Sequence, residues 1–233
     1  MIEKTLKTTN GKIKVKIPSV LKEVTLGQLM EMQEYPDLND LEAISILAAI
    51  PINELQNVCN IDDFSVFAET VLSLSHQIKH LYNSSDIPKK IAFPAYIGNP
   101  TINVISNLSV EPAGAFMAAR DIIADEINEH ISLYGKDDWQ RYFNPSLKAC
   151  CQVLAHYLFC RVTGKKYNEY EAEEFCNEIK KLKVTEALPI AKHFFTCYPS
   201  LSKRKTSFLH RFRQSWKKRQ EYNHLKSLSI STL

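Results

Sequence analysis

Two histidines come nearest to the spacing of a metal site. His76 and His80 are four residues apart, so on one helix both imidazoles share a face. Zinc proteases with this spacing carry a glutamate directly after the first histidine as the general base, and here that position is Gln77. Glu69, seven residues before His76, is placed to be a third ligand. Polar pairs at this spacing are also ordinary on a solvated helix face. We therefore interpret the two histidines as an exposed polar pair, with metal binding as the alternative.

The six cysteines are the next candidates for chemistry. They lack the C-x-x-C spacing of zinc and redox sites. Cys150 and Cys151 are adjacent, so on a helix their side chains point about 100° apart, and His156 is five residues beyond Cys151. Neither thiol pairs with a base at a spacing that favours nucleophilic catalysis. Because free cysteine is often buried, we expect reduced core thiols, as in a reducing compartment.

Motifs of phosphate binding and acyl transfer are missing from the sequence. Gly164 precedes two lysines, but the upstream glycine and the following Ser or Thr of a P-loop are absent. No G-x-S-x-G occurs. The acidic pair Asp137-Asp138 and the cluster at residues 171–174 fit helix starts, where the macrodipole favours negative charge. We therefore predict a non-enzymatic protein with no cofactor and no metal.

Charge is divided unevenly along the chain. The 233 residues carry 29 basic and 26 acidic side chains, a formal charge of +3. Residues 202–233 hold nine of the bases and one acid, Glu221. The preceding residues are therefore acidic overall, and the C-terminal segment, which we call the basic arm, is strongly positive.

The basic arm is predicted to be an amphipathic helix over about residues 203–228. Phe208, Phe212 and Trp216 recur every four residues and form an aromatic stripe. The basic arm has two possible roles: it docks on the acidic body of its own chain, or it contacts an acidic partner. That partner would be either nucleic acid or the acidic face of a neighbouring subunit. Aromatic stripes favour protein packing. The predicted partner-binding residues are Phe208, Arg211, Phe212, Arg213, Trp216, Lys217, Lys218 and Arg219.

The N-terminal elements that precede these features are a strand and two capped helices. K-I-K-V-K-I, residues 12–17, alternates lysine with β-branched residues, the pattern of a strand with one wet and one buried face. Thr25 followed by Gln28, and Asn39 followed by Glu42, each fit a capping box. Helices are therefore predicted to begin directly after Thr25 and Asn39.

Later elements follow from proline, glycine and capping residues. Residues 84–112 are rich in Pro, Gly, Asn and β-branched residues, which predicts a β-hairpin or a small sheet with Gly98-Asn99-Pro100 at the turn. Before this segment we expect a short helical turn with Pro51 at its first position, and a helix that is capped by Asp62 or Asp63 and runs to about Leu81. After it we expect four helices: one over about 112–134, one from Asn144-Pro145 to Gly164, one from Asn168 to Lys183, and one that begins at Thr185.

The fold class predicted from these elements is mainly α with a small β element (α+β). Three regions are expected: an N-terminal strand with helices over 1–83, a hairpin-like insert and helical domain over 84–201, and the basic arm over 202–233. The 45% hydrophobic content supports a sizeable core. No apolar run of about 18 residues occurs, and the first residues lack the apolar segment of a secretory signal. We expect a cytosolic protein without a membrane partner.

One stretch carries a family resemblance. IPSVLKEVTLGQLMEMQEYPDLNDLEAISILAAIPINELQNV resembles the opening of small structural and assembly proteins of tailed bacteriophages: a strand, a T-L-G-Q helix start at Thr25 to Gln28, an Asp-rich link at Asp37 to Asp40, and an I-P-x-x-E-L turn at Ile50 to Leu55. TEALPIAKHFF, Thr185 to Phe195, is similar to a helix near the C-terminus of such proteins. The residue before Pro51 is not the glycine of the commonest form.

The resemblance covers about a quarter of the chain and implies a structural role. It indicates a neck or tail ring protein like those of crAss-like phages, present in the virion after assembly in the host cytoplasm. Its expected partners are other phage structural proteins and further copies of itself, with at most weak nucleic-acid contact through the basic arm. A cytoplasmic tail-assembly chaperone is the first alternative, and a packaging or cargo protein that contacts nucleic acid is the second.

Overall fold

The computed structural model describes residues 1–35, 37–78, 80–81, 86–104, 111–138 and 143–197. Within these ranges the fold is mainly α with two small antiparallel sheets, as predicted. The strands are β1 (Ile2–Thr8), β2 (Gly11–Ile17), β3 (Lys90–Ala92) and β4 (Thr101–Asn103). The helices are α1 (Leu26–Gln33), α2 (Asp40–Ala48), α3 (Ile52–Gln56), α4 (Ser65–Ile78), α5 (Ala113–Asp138), α6 (Leu147–Thr163), α7 (Glu169–Glu174), α8 (Cys176–Ile179) and α9 (Val184–Cys197). All residues of the basic arm lie outside the described ranges, as does the boundary predicted at 83/84.

The N-terminal hairpin contains one strand that the sequence analysis missed. β2 was predicted, but its partner β1 was not, because Lys and Thr dilute the apolar alternation of β1. Ile2 lies opposite Ile17, and the register continues to Thr8 opposite Gly11. The inward residues of the two strands enter the core, which leaves the other face of the hairpin in solvent.

Both predicted capping boxes are confirmed. The Thr25 hydroxyl accepts the Gln28 amide N–H at 3.2 Å, and the Gln28 side chain accepts the Thr25 N–H at 2.9 Å. The same reciprocal bonds join Asn39 and Glu42, each at 2.9 Å. The predicted hairpin is also confirmed, since β3 pairs with β4, and Gly98-Asn99-Pro100 ends the loop over residues 93–100 that joins them.

Two predicted helix starts are wrong by a few residues. Asn60, rather than Asp62 or Asp63, is the N-cap: its side chain accepts the Asp62 N–H at 3.1 Å, and a 3-10 turn over Ile61–Phe64 precedes α4. Ser146, rather than Asn144-Pro145, caps α6 by accepting the Ala149 N–H at 3.1 Å. In both places several good cap residues lie within three positions of one another, so residue type alone does not select the one that is bonded.

Three further boundaries differ from the prediction. Pro51 is the N-cap of α3 and precedes its first helical residue. α4 ends at Ile78, before Leu81. The helix predicted from Asn168 to Lys183 is divided into α7 and α8 by Phe175. The Phe175 ring packs against Phe93 and Phe159, at centroid distances of 5.9 and 6.0 Å, so tertiary packing turns the chain there.

α6 is the central element of the core. Twelve of its residues are buried, on almost every side of the helix. Cys150 and Cys151 are among them, which confirms their prediction as core residues. Cys59, in the loop after α3, is exposed, so the expectation of core thiols is wrong for that residue. It holds only in part for Cys160 and Cys176, which are partly buried.

The start of α1 is attached to the turn between α8 and α9. Thr25 forms an antiparallel bridge with Lys183, and the Gly27 N–H donates to the Lys180 carbonyl at 2.8 Å. The Leu26 N–H donates to the Leu182 carbonyl at 2.8 Å. A Cβ atom on Gly27 would lie 3.0 Å from the Lys180 carbonyl oxygen, so glycine permits this close backbone approach. The T-L-G-Q motif therefore combines a cap with a packing contact.

None of the described helices combines the length with the apolar composition that crossing a bilayer requires.

Candidate interaction surface

The histidine pair does not occupy one helix face. His76 lies in α4, but His80 lies beyond the end of that helix, with its N–H bonded to the Gln77 carbonyl at 3.1 Å. Both imidazoles and Glu69 are exposed. Nowhere in the described ranges do three His, Cys, Asp or Glu side chains come together in an arrangement able to hold a metal ion.

The adjacent cysteines are built into the core rather than into a cleft. Burial raises the pKa of the Cys150 thiol far above its ordinary value, which keeps the thiol protonated. His156 is buried as well, and its Nδ1 atom lies 2.9 Å from the Tyr167 hydroxyl. These contacts give His156 a structural partner away from the two thiols.

The outer face of the N-terminal hairpin is a patch of positive charge. Lys12, Lys14 and Lys16 alternate along β2 and are all exposed, as the sequence predicted. Lys7 of β1 joins them, because it lies directly opposite Lys12. We call these four residues the lysine face. Lys7 could not be assigned to it from the sequence, since β1 itself was not predicted.

One carboxylate lies within this patch. Glu3 is opposite Lys16 in the register, and its Oε1 atom is 2.7 Å from the Lys14 ammonium on the diagonal. The hydrogen bond from Lys14 lowers the pKa of Glu3, and the charges of Lys14 and Lys16 act in the same direction. The lysine face therefore keeps a net positive charge after this pairing.

The helices that follow the hairpin have the opposite charge. Residues 23–78 contain ten acidic side chains and no lysine or arginine. Four of these acids are exposed around the link from α1 to α2, and we call them the acidic edge: Glu31, Glu34, Asp37 and Asp40. The Tyr35 side chain lies among them and is 48% exposed.

The two patches give one folded body surfaces of opposite sign. Exposed charges of this kind accelerate association and select orientation, while contributing modestly to affinity. The hairpin anchors the lysine face by its buried inner side and by the ion pair of Lys4 with Asp63, at 2.8 Å. The capping boxes anchor the helices that carry the acidic edge.

The predicted partner-binding residues of the basic arm, Phe208 to Arg219, lie outside the described ranges, so their role stays a prediction. No protein-family model matches this chain, and neither a curated protein nor a solved structure matches it.

Proposed function

We propose that this chain is a non-enzymatic structural protein of a bacteriophage neck or tail, a ring or connector-type subunit that contacts further copies of itself and other virion proteins. The observation that carries the proposal is the presence of the lysine face and the acidic edge on one body. A contact between two different patches is heterologous, and repeating it gives a ring when the rotation between successive copies closes.

Charge complementarity indicates which two patches meet in this contact. The lysine face of one copy meets the acidic edge of the next copy, and like faces repel. The exposed ion pairs formed in this way contribute little free energy each. The basic arm supplies the apolar contacts through its aromatic stripe, because aromatic anchors dominate the energetics of protein interfaces.

The test is a charge exchange between the two patches. One variant carries Lys12→Glu, Lys14→Glu and Lys16→Glu, and the other carries Glu31→Lys, Glu34→Lys and Asp37→Lys. We expect each to lose oligomers in sedimentation velocity at low salt. A mixture of the two variants should assemble again, because each restores the charge pairing that the other lacks.

Two outcomes contradict the proposed contact. If both variants assemble as the unchanged protein does, the patches are solvated surfaces without a role in association. If both fail and the mixture also fails, charge pairing between these patches is not what the substitutions disrupted. Circular dichroism of each variant checks that the fold is retained.

Mass spectrometry of purified particles tests the place of the protein in the virion. A structural subunit is present at a fixed copy number per particle. Presence in the infected cell together with absence from particles would contradict the virion role and indicate the tail-assembly chaperone.

A further inference from the structure

Two free cysteines lie where two helices that are distant in the sequence come into contact. Cys151 lies in α6 and Cys176 is the first residue of α8. The Cys151 Sγ atom lies 3.7 Å from the Cys176 carbonyl oxygen. This contact sets the Cys151 sulfur against the backbone of Cys176, an arrangement that the other described cysteines do not show.

The two thiols differ in access to solvent. Cys151 is 1% exposed, whereas Cys176 is only partly buried. A small reagent therefore reaches Cys176 first, and Cys151 lies behind it in the core.

The more accessible thiol, Cys176, is also the more acidic of the two. The adjacent Cys151 thiol lowers the pKa of the Cys176 thiol, and the charge of Lys180 lowers it further, against the effect of burial. The Cys176 thiol and burial together raise the pKa of Cys151. Cys176 is thus the better nucleophile, and Cys151 holds its proton until it reacts.

We propose that Cys151 and Cys176 are a disulfide-forming site that takes a low-molecular-weight disulfide, such as oxidised glutathione, as its oxidant. In the first step the Cys176 thiolate attacks one sulfur of the oxidant, forms a mixed disulfide and releases one thiolate. In the second step the Cys151 sulfur attacks the Cys176 sulfur, loses its proton to the departing thiolate and completes the protein disulfide. Two protein thiols are oxidised, and one small disulfide is reduced to two thiols.

The other described cysteines lack this arrangement. Cys150 is fully buried beside Cys151, with its side chain directed elsewhere on the helix. Burial and the charge of Glu111 raise the pKa of the partly buried Cys160 thiol. Cys59 is exposed, so it can form a mixed disulfide, but no second thiol lies against it among the described residues.

The experiment maps thiols after treatment of the folded protein with oxidised glutathione. Acid quenching, alkylation, digestion and mass spectrometry should identify a Cys151–Cys176 linked peptide that a reducing agent removes. The Cys151→Ser variant should instead accumulate glutathione on Cys176, because the resolving thiol is absent. The Cys176→Ser variant should leave Cys151 unmodified. Cys59→Ser is the matched control and should give the same linked peptide as the unchanged protein.

Two results would overturn the site. One is stable glutathione on Cys176 in the unchanged protein without a linked peptide, which would show that the sulfur atoms cannot reach bonding geometry. The other is a Cys176 thiol that reacts no faster than the buried Cys150. Because Cys151→Ser places a hydroxyl in the core, Cys151→Ala serves as a second variant, and its circular dichroism confirms folding.

Discussion

Arg161 and Glu111 form an ion pair that joins three elements of the fold. The Arg161 Nε atom lies 2.6 Å from the Glu111 Oε1 atom, and the Glu111 side chain is 4% exposed. Arg161, on α6, also lies 5.0 Å from the centre of the Tyr157 ring and donates to the Asn103 carbonyl of β4 at 3.4 Å. One guanidinium therefore fixes the small hairpin and the segment before α5 against the central helix.

Removal of this guanidinium should be strongly destabilising. Arg161→Met leaves the Glu111 carboxylate buried without its cation, so we expect the free energy of unfolding to fall by about 3–5 kcal/mol in urea denaturation. Lys14→Met breaks an exposed ion pair and is the matched control, with an expected loss under about 1 kcal/mol. Equal effects of the two substitutions would contradict the assignment of a buried pair.

The core position of α2 gives a second stability prediction. Leu47 is 3% exposed, so Leu47→Ala removes buried methyl groups and leaves a cavity, at a cost of about 2–5 kcal/mol in unfolding free energy. Leu72 is 62% exposed on α4, and Leu72→Ala should cost less than about 0.5 kcal/mol. A loss for Leu47→Ala as small as that for Leu72→Ala would show that α2 is not packed as described.

A side chain at position 27 should be destabilising. A methyl group there meets the Lys180 backbone at 3.0 Å and pushes α1 away from its carbonyl partners. We expect Gly27→Ala to cost about 1–3 kcal/mol in chemical denaturation, although alanine favours helices. Ser73→Ala, at an exposed position of α4, is the control and should be close to neutral. A stabilising Gly27→Ala would contradict the close approach.

Glu23 gives the protein a defined acid sensitivity. Hydrogen bonds from the Met1 ammonium, at 2.6 Å, and from the Ser19 N–H, at 2.9 Å, lower the pKa of Glu23 from 4.5 to about 2. Because the folded-state pKa is lowered, this stabilisation is complete above pH 4.5 and disappears as the pH falls towards 2.

The pH dependence of a Glu23→Gln variant tests this. Its urea midpoint should lie below that of the unchanged protein at pH 7, and the gap should close as the pH falls through the window from 4.5 to 2. Glu34→Gln, an exposed substitution on the same part of the chain, is the control. A gap that stays constant with pH would mean that the loss does not come from the charge of Glu23.

The basic arm is expected to act through its aromatic stripe. Deletion after Leu201 should leave a folded body that fails to assemble, and Trp216→Ala should impair assembly more than Lys217→Ala, as measured by sedimentation. Any DNA binding should be weak and should decrease with salt.

The opposite pattern would identify a nucleic-acid contact. In that case the combined substitution Phe212→Ala and Trp216→Ala leaves assembly unchanged. Charge reversal at Arg211, Arg213, Lys217 and Lys218 instead abolishes DNA retention in a filter-binding assay.

Local signals predicted much of this fold because their physical causes are local. The boxes at Thr25 and Asn39 depend on residues three positions apart, and the end of α6 depends on the positive φ of Gly164. The division at Phe175 could not be read from the sequence, since it comes from aromatic rings on other elements. The lysine face was predicted only in part, because its fourth member depends on the pairing of β1 with β2.

The bridge between Thr25 and Lys183 also affects how the chain folds on the ribosome. The carbonyl groups that receive the first N–H groups of α1 belong to Lys180 and Leu182, which are made more than 150 residues later. At translation rates of about 5–20 residues per second, α1 is therefore made roughly 8–30 s before these partners. During that interval the apolar side of α1 is open to chaperones and to other nascent chains. The order of synthesis therefore exposes α1, with its T-L-G-Q start, until the turn between α8 and α9 has been made.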